Sequence, residues 1–227
     1  MKKIYYLALT ALLFVSCSKH KDNVKEVITV DAKEVSMFSN DTKQLNLTYS
    51  TESLKSKIYT WSSSDLNVAN VSAGLVTGVR IGQCYIKVAS ADGKLKDSTK
   101  VTIQPKYFLY NEPYVIFGTT ESDIMAKETR TLLSQTATGL MYQGENSNVV
   151  GVIYLFTNNA MTGADVMLLT NTTIADLVAN FLNERYEYTG TSNNIYFLTN
   201  KKGIIVCLNV DATLGLNVMY IKDTKSK

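Results

Sequence analysis

Three tyrosines, Tyr186, Tyr188 and Tyr196, crowd the segment ERYEYTGTSNNIYF (184–197), interleaved with Thr, Asn and Gly. A tyrosine offers a broad apolar ring and a polar tip. A close-set group flanked by hydroxyls and amides therefore suits stacking on a sugar ring or anchoring a protein interface. The same pattern also fits a helix end running into a hairpin, with its tyrosines packed on a sheet edge. Acid–base chemistry has less to draw on. His20 is the only histidine, and it lies in a polar run near the N-terminus, so neither a Ser-His-Asp nor a Cys-His pair can form within a folded domain. Zinc ligands are wanting for the same reason. There is no G-x-S-x-G, phosphate-cradling glycine loop or EF-hand loop, and Asp92 and Asp97 are too few for calcium. Acidic residues are scattered through the C-terminal half, from Glu112 to Asp211. A converging pair among them would be the acid and base of a glycosidase, but scattered acids are ordinarily a solvated surface. No catalytic residue, metal site or cofactor is expected.

The elements that must position these tyrosines fall into two textures. From Val27 to Ile103 the chain shows short alternating runs without helical periodicity. QLNLTYS sets Leu45, Leu47 and Tyr49 on one face, and IYTWSSS does the same for Tyr59 and Trp61, the only tryptophan. GQCYIKVAS turns Cys84, Ile86 and Val88 inward, and DSTKVTIQ groups Thr99, Val101 and Ile103. Turn signals separate the runs: SND, SAG and ADGK, with Asp92-Gly93 suited to a tight hairpin. Gly74 and Gly78 are expected to supply conformations that other residues resist. This is the pattern of a β-sandwich, with Trp61 pointing between its sheets.

Pro105 closes that region, since proline cannot donate to a ladder. Beyond it, TTESDIMAKETRTLLSQ (119–135) reads as a helix with Thr120 and Asp123 as a cap pair. GLMYQG, VVGVIYLFTN and ADVMLLT follow as strands. TTIADLVANFLNERYEY (172–188) carries Ile174, Leu177, Val178, Phe181 and Leu182 at helical spacing, capped by Thr173 and Asp176. NIYFLTN, GIIVCLNV and LGLNVMYI complete a second set of strands, with NKKG as a hairpin connection. The fold class is thus multidomain: an all-β sandwich, then an α+β domain of two helix-plus-three-strand units. Those units would form a six-stranded antiparallel sheet with helices on one face. YNEPYVIFG (110–118) is expected to dock the second domain on the first, and the short junction at 104–110 predicts a fixed orientation.

Before the sandwich, Lys2 and Lys3 precede an apolar run from Ile4 to Val15 that ends FVSC. The run is short for a membrane span and has the length of a signal-peptide core. Small Ser16 before Cys17 resembles a bacterial lipoprotein signal, with Phe14 where that pattern usually has Leu. The resemblance implies cleavage after residue 16, lipidation of Cys17 and a membrane anchor of acyl chains. Residues 17–26 are then a tether. Without Lys2 and Lys3, the 23 Lys and Arg residues fall to 21 against 20 Asp and Glu, which gives no electrostatic case for nucleic acid. Cys84 and Cys207 each lie in an apolar run and are read as separate buried thiols.

The sandwich region also carries VITVDAKEVSM, QLNLTYS, YTWSSSDLNVANVSAGLVTGVRIGQCYIKVASADGK and KVTI in order. Residues 27–105 thereby resemble the group 2 bacterial Ig-like domain, which departs here only in having Cys84 where a small apolar residue is usual. The resemblance implies a spacer of the kind found in bacterial surface proteins and adhesins, and assigns it no catalytic residue. Residues 106–227 resemble, by element order alone, the fold of the β-lactamase inhibitor proteins, and no functional residue is carried across on that basis. The combined expectation is a lipid-anchored envelope protein, in the outer membrane and surface-exposed, with a non-catalytic role in adhesion to a glycan or protein. The alternatives are a protein inhibitor or assembly partner acting through the C-terminal domain, and a polysaccharide hydrolase.

Overall fold

The structure, a computed structural model, describes residues 25–211 and 214–225. The signal segment, Cys17 and His20 lie outside the described residues.

The N-terminal domain contains β1 (Ile28–Val30), β2 (Glu34–Met37), β3 (Thr42–Gln44), β4 (Leu47–Tyr49), β5 (Tyr59–Ser63), β6 (Ala69–Ser72), β7 (Leu75–Gly78), β8 (Gly82–Ser90) and β9 (Lys96–Ile103). One sheet runs β2-β9-β8-β5; a three-stranded β3-β7-β6 sheet and the β1-β4 pair make up the rest. The period of two decides the faces. In β8, Cys84, Ile86 and Val88 are buried while Gln83, Tyr85 and Lys87 are exposed. Val101 and Ile103 of β9 join them, with Val30, Leu45, Leu54 and Val76, in one core. Thr99 is buried beside them because its hydroxyl donates to the Ala32 carbonyl (2.6 Å).

Trp61 is partly buried against this core and lies over the β6–β7 turn. That turn is left-handed at Ala73 and Gly74 (φ 47° and 81°), and a Cβ on Gly74 would sit 2.6 Å from the Leu45 carbonyl oxygen and 3.4 Å from Trp61 Cζ2. Gly78 serves differently from the sequence expectation. Its backbone is not left-handed. A Cβ there would meet the Phe38 carbonyl oxygen at 2.6 Å and Ile103 Cδ1 at 2.9 Å, so the glycine provides close approach and not an unusual dihedral.

The C-terminal domain runs α1 (Glu121–Lys127), β10 (Leu132–Thr136), β11 (Gly139–Gln143), β12 (Val149–Thr157), β13 (Ala160–Leu168), α2 (Thr172–Asn183), β14 (Glu187–Ser192), β15 (Ile195–Thr199), β16 (Ile204–Asp211) and β17 (Gly215–Lys222). Its strands form one antiparallel sheet in the order β10-β11-β12-β13-β17-β16-β15-β14. The two helix-plus-strand units meet at β13–β17, where Val166 stands opposite Val218. Each unit has four strands where the sequence pattern indicated three, because β10 and β14 extend the sheet at its two edges. Ile124 of α1 and Ile174, Val178, Phe181 and Leu182 of α2 share a core with Tyr154, Val166, Val218 and Tyr220. Both helices therefore cover the same face.

The helix ends differ from the expected ones. The Thr120 hydroxyl accepts from Asp123 N at the start of α1, as its cap pair predicts. The helix stops at Lys127, where Glu128 turns extended (φ −70°, ψ 131°), so residues 128–135 are not helical. At α2 the cap is Asn171, whose side chain accepts from Ile174 N (2.9 Å), and not Thr173. Helix α2 ends at Asn183, and residues 187 onward turn into β14.

The segment 110–118 also departs from expectation. Tyr110 packs on Phe181 (ring centroids 4.5 Å apart) and its hydroxyl pairs with that of Tyr220 (2.7 Å). Tyr114, Val115 and Phe117 lie against the same core. This segment closes its own domain. Contacts between the domains include the ion pairs Arg80–Glu187 and Lys202–Asp65 and the hydrogen bonds of Glu184. Its carboxylate accepts from Lys106 N and Tyr107 N of the linker (3.0 and 3.1 Å), and its carbonyl accepts from Ile81 N of the sandwich (2.8 Å). Cys84 and Cys207 are buried, unbridged thiols.

Candidate functional site

Tyr188 and Tyr196 come together on the helix-covered side of the sheet, at the edge beyond α2. Tyr188 on β14 stands opposite Leu198, and Tyr196 on β15 opposite Leu208. Their rings lie 6.4 Å apart at 46° and each is about half exposed (53% and 51%). The Tyr188 and Thr191 hydroxyls are hydrogen-bonded at 2.7 Å. A bulge between Tyr188 and Gly190 bends the edge strand. The two-residue turn Asn193-Asn194 is left-handed at both positions (φ 51° and 62°), the geometry that matches strand twist in a tight hairpin.

These rings form one wall of a cavity of about 530 Å³, a size suited to a small ligand. The opposite wall is α2. Ala175 and Ala179, one helical turn apart, face the strands with side chains too small to close the gap. Leu182, Leu198, Leu208 and Leu216 line the space with apolar surface, and Asn183, Asn194 and Asn209 supply amide donors and acceptors. Among the described residues Asp176 is the only charged one in the lining. The groove thus offers a broad apolar contact, two ring faces and a few neutral hydrogen-bonding groups.

Tyr186 does not join them. It is buried (8% exposed), donates to Glu112 Oε1 (2.5 Å) and meets the Tyr220 ring edge-on at 6.2 Å. Burial, with the Glu112 carboxylate at its hydroxyl, pushes its pKa far above the ordinary tyrosine value. Tyr186 is a structural residue: it lies in the bend between α2 and β14, before the strand begins at Glu187, so it does not share the strand face that carries Tyr188. Sequence reasoning missed Ala175, Ala179, Asn183 and Asn209, while Asn194 lies in the segment it singled out. The available signal was a pair of alanines at i, i+4 on an otherwise amphipathic helix.

Two acidic residues do converge elsewhere, on Arg130. Its guanidinium bonds Glu128 Oε2 (2.8 Å) and Glu145 Oε2 (2.8 Å), and Glu128 also accepts from the Tyr154 hydroxyl (2.6 Å). Arg130 and Glu128 side chains are 6% and 5% exposed. Burial pushes both carboxyls up, but hydrogen bonds outweigh it, from Tyr154 and the Arg130 backbone at Glu128 and from the Arg130 side chain at Glu145, and both lie below the usual range. Neither carboxyl is tuned as a proton donor at neutral pH, and neither lines the groove. Asp97 and Asp92 are likewise committed: Asp97 accepts from Val30 N and pairs with Lys33, and Asp92 accepts from the Ser90 hydroxyl. Among the described residues no cluster of three or more His, Cys, Asp or Glu side chains is placed to hold a metal ion.

With this geometry in view, the N-terminal domain can be matched to known proteins. Residues 24–102 match the family model of the bacterial Ig-like domain (group 2). The sandwich is thus an Ig-like domain, followed by a second, sheet-rich domain that the match leaves uncovered. An alpha-L-arabinofuranosidase of Bifidobacterium longum subsp. longum is 37% identical over 73 residues, 32% of this chain and 7% of that protein. The chain spans only that small fraction of the relative, about the length of one Ig-like domain.

Proposed function

We propose that this chain is a lipid-anchored cell-envelope protein, held at the outer membrane through Cys17 and exposed at the surface. The Ig-like domain stands as a spacer, and the C-terminal domain binds a ligand without catalysis. The observation that carries this reading is the groove between α2 and β14–β16, where Tyr188 and Tyr196 stand half-exposed beside three amides. Ring faces over an apolar floor with neutral hydrogen-bonding groups suit a glycan, whose rings present C–H faces and hydroxyl edges. With no lysine or arginine in its lining, the groove favours neutral over acidic sugars. The family of the N-terminal domain supports a surface or adhesive role. The arabinofuranosidase relative acts, by its name, on a carbohydrate, which agrees with a glycan environment.

Binding of the lipid-free chain to a glycan array tests the reading. Tyr188→Ala and Tyr196→Ala should each weaken a neutral-glycan hit roughly tenfold, the loss expected of an aromatic anchor. A hit unchanged in both variants moves the site elsewhere.

A protein partner is the second reading, favoured by β10. All five of its residues are exposed, including Leu132 and Leu133, on an open sheet edge. A single stoichiometric protein in a crosslinked pull-down from envelopes supports an inhibitor or assembly role. A hydrolase has the least support, since the acids that converge are tied to arginines, Glu128 and Glu145 to Arg130 and Glu184 and Glu112 to Arg185.

A further inference from the structure

A second, smaller crevice of about 120 Å³ lies where the two domains meet. Arg80 enters it from the Ig-like domain. Arg185, Lys201 and Lys202 enter from the C-terminal domain, and Glu187 is the only carboxylate in the lining. The charges are unevenly matched. Lys202 is paired with Asp65 (3.1 Å), and Arg185 with Glu184 (2.5 Å) and, further off, Glu112 (3.7 Å). Arg80 and Lys201 share a single oxygen, Glu187 Oε2, at 3.2 and 2.6 Å. The four cations meet four carboxylates in all, but unevenly: Arg185 has two, while Arg80 and Lys201 have one between them, so positive charge is concentrated at their end of the crevice. The Arg80 Nε–H is also buried without a hydrogen-bond partner. Buried donors are nearly always satisfied, and one beside two cations that share a single carboxylate oxygen asks for an anion.

We propose that this crevice binds a tetrahedral oxyanion, phosphate or sulfate, between the domains. A guanidinium presents its N–H groups as a fork matched to two oxygens of such an ion, and Arg80 has one prong unused. The space would hold about four waters, at roughly 30 Å³ each, which is the scale of one five-atom oxyanion. Lys201 and Lys202 project from the β15–β16 turn with side chains 48% and 67% exposed, so they stand at the mouth and admit the ion from solvent. Glu187 opposes an anion, but it is itself held by Arg80 and Lys201. The site needs both domains, and its occupant ties them together. The ion is either free in solution or an ester group carried on a glycan; both present the same oxygens.

The test follows the Arg80 Nε–H resonance by NMR in the full chain, held in detergent, during titration with phosphate, sulfate or chloride at matched ionic strength. The expected result is a saturable shift with phosphate or sulfate that chloride does not produce. Lys201→Gln, at an exposed position, should weaken it roughly tenfold. A sulfated monosaccharide that saturates at lower concentration than inorganic sulfate identifies the ester as the ligand, and weaker binding identifies the free ion. A shift no larger than that with chloride, or one unchanged in Lys201→Gln, overturns the proposal and leaves the crevice to water.

Discussion

The two halves of the C-terminal sheet are built alike and finished differently. Each begins with a helix whose C-cap is a glutamate, Glu128 after α1 and Glu184 after α2, with an arginine close behind. Arg130 links Glu128 to Glu145, and Arg185 links Glu184 to Glu112. Tyrosine hydroxyls donate to one acid in each set, Tyr154 to Glu128 and Tyr186 to Glu112. In the first half this network turns inward. Glu128 accepts from Arg130 N and Thr129 N, its own neighbours. In the second half Glu184 accepts from the linker, and a helix five residues longer carries two alanines over an open groove. One scaffold thus yields a half sealed by its own hydrogen bonds and a half with an open groove. The difference lies in helix length and two methyl-sized side chains.

The largest test of that contrast is Arg130→Met. It strips the partner from two carboxylates, one of them almost fully buried, and should cost the C-terminal domain about 3 kcal/mol or more. Arg185→Met should cost less, since its second partner, Glu112, lies 3.7 Å away and is partly exposed. Chemical denaturation followed by far-UV circular dichroism measures both, while fluorescence of Trp61 reports the Ig-like domain separately.

Acid should act through the sealed half next. Glu128 and Glu145 have folded pKa values lowered below their unfolded value. The stability they contribute is complete above an unfolded pKa of about 4.3 and is lost as pH falls through the folded values. The denaturation midpoint of the C-terminal domain should therefore fall as pH drops below about 4.3, and Arg130→Met should flatten that dependence. An unaltered pH profile in the variant would show that the network is not what acid disrupts.

In the open half, Tyr186→Phe removes a buried hydrogen bond to Glu112 and should cost about 1–2 kcal/mol. Tyr188→Ala and Tyr196→Ala, at half-exposed positions, should each stay within about 1 kcal/mol of the parent. Equal losses at all three tyrosines would erase the distinction between core and groove. The smallest effect belongs to the groove wall: Ala179→Leu fills open space and should leave stability within about 0.5 kcal/mol while abolishing any ligand bound there.

The sequence is most legible where one face of a strand is buried. Cys84, Ile86 and Val88 alternate cleanly with polar neighbours, and α2 shows its stripe at Ile174, Val178, Phe181 and Leu182. It is least legible at the edges. In β10 every residue of LLSQT is exposed, so no alternation marks the strand, and its leucines read as the continuation of α1. In β14 the pattern EYTGTS is broken by a bulge, and a helix ending in tyrosines looks the same. Tyr188 and Tyr196 stand out by residue type. The groove they border does not, because it is defined by side chains that are absent, at Ala175 and Ala179, and an absence on a helix reads as ordinary helix propensity.

Glu184 gives the molecule a path for mechanical load. In a tethered chain, a pull between anchor and ligand runs through the Ig-like domain into the linker at Lys106 and Tyr107. It leaves the linker at the carboxylate of Glu184, one residue past the end of α2. The last turn of that helix carries Leu182 and Asn183 on the groove wall. Under the proposed function, tension would therefore arrive at the groove wall, and the strength of the grip and the force on the tether would be felt by the same turn of helix.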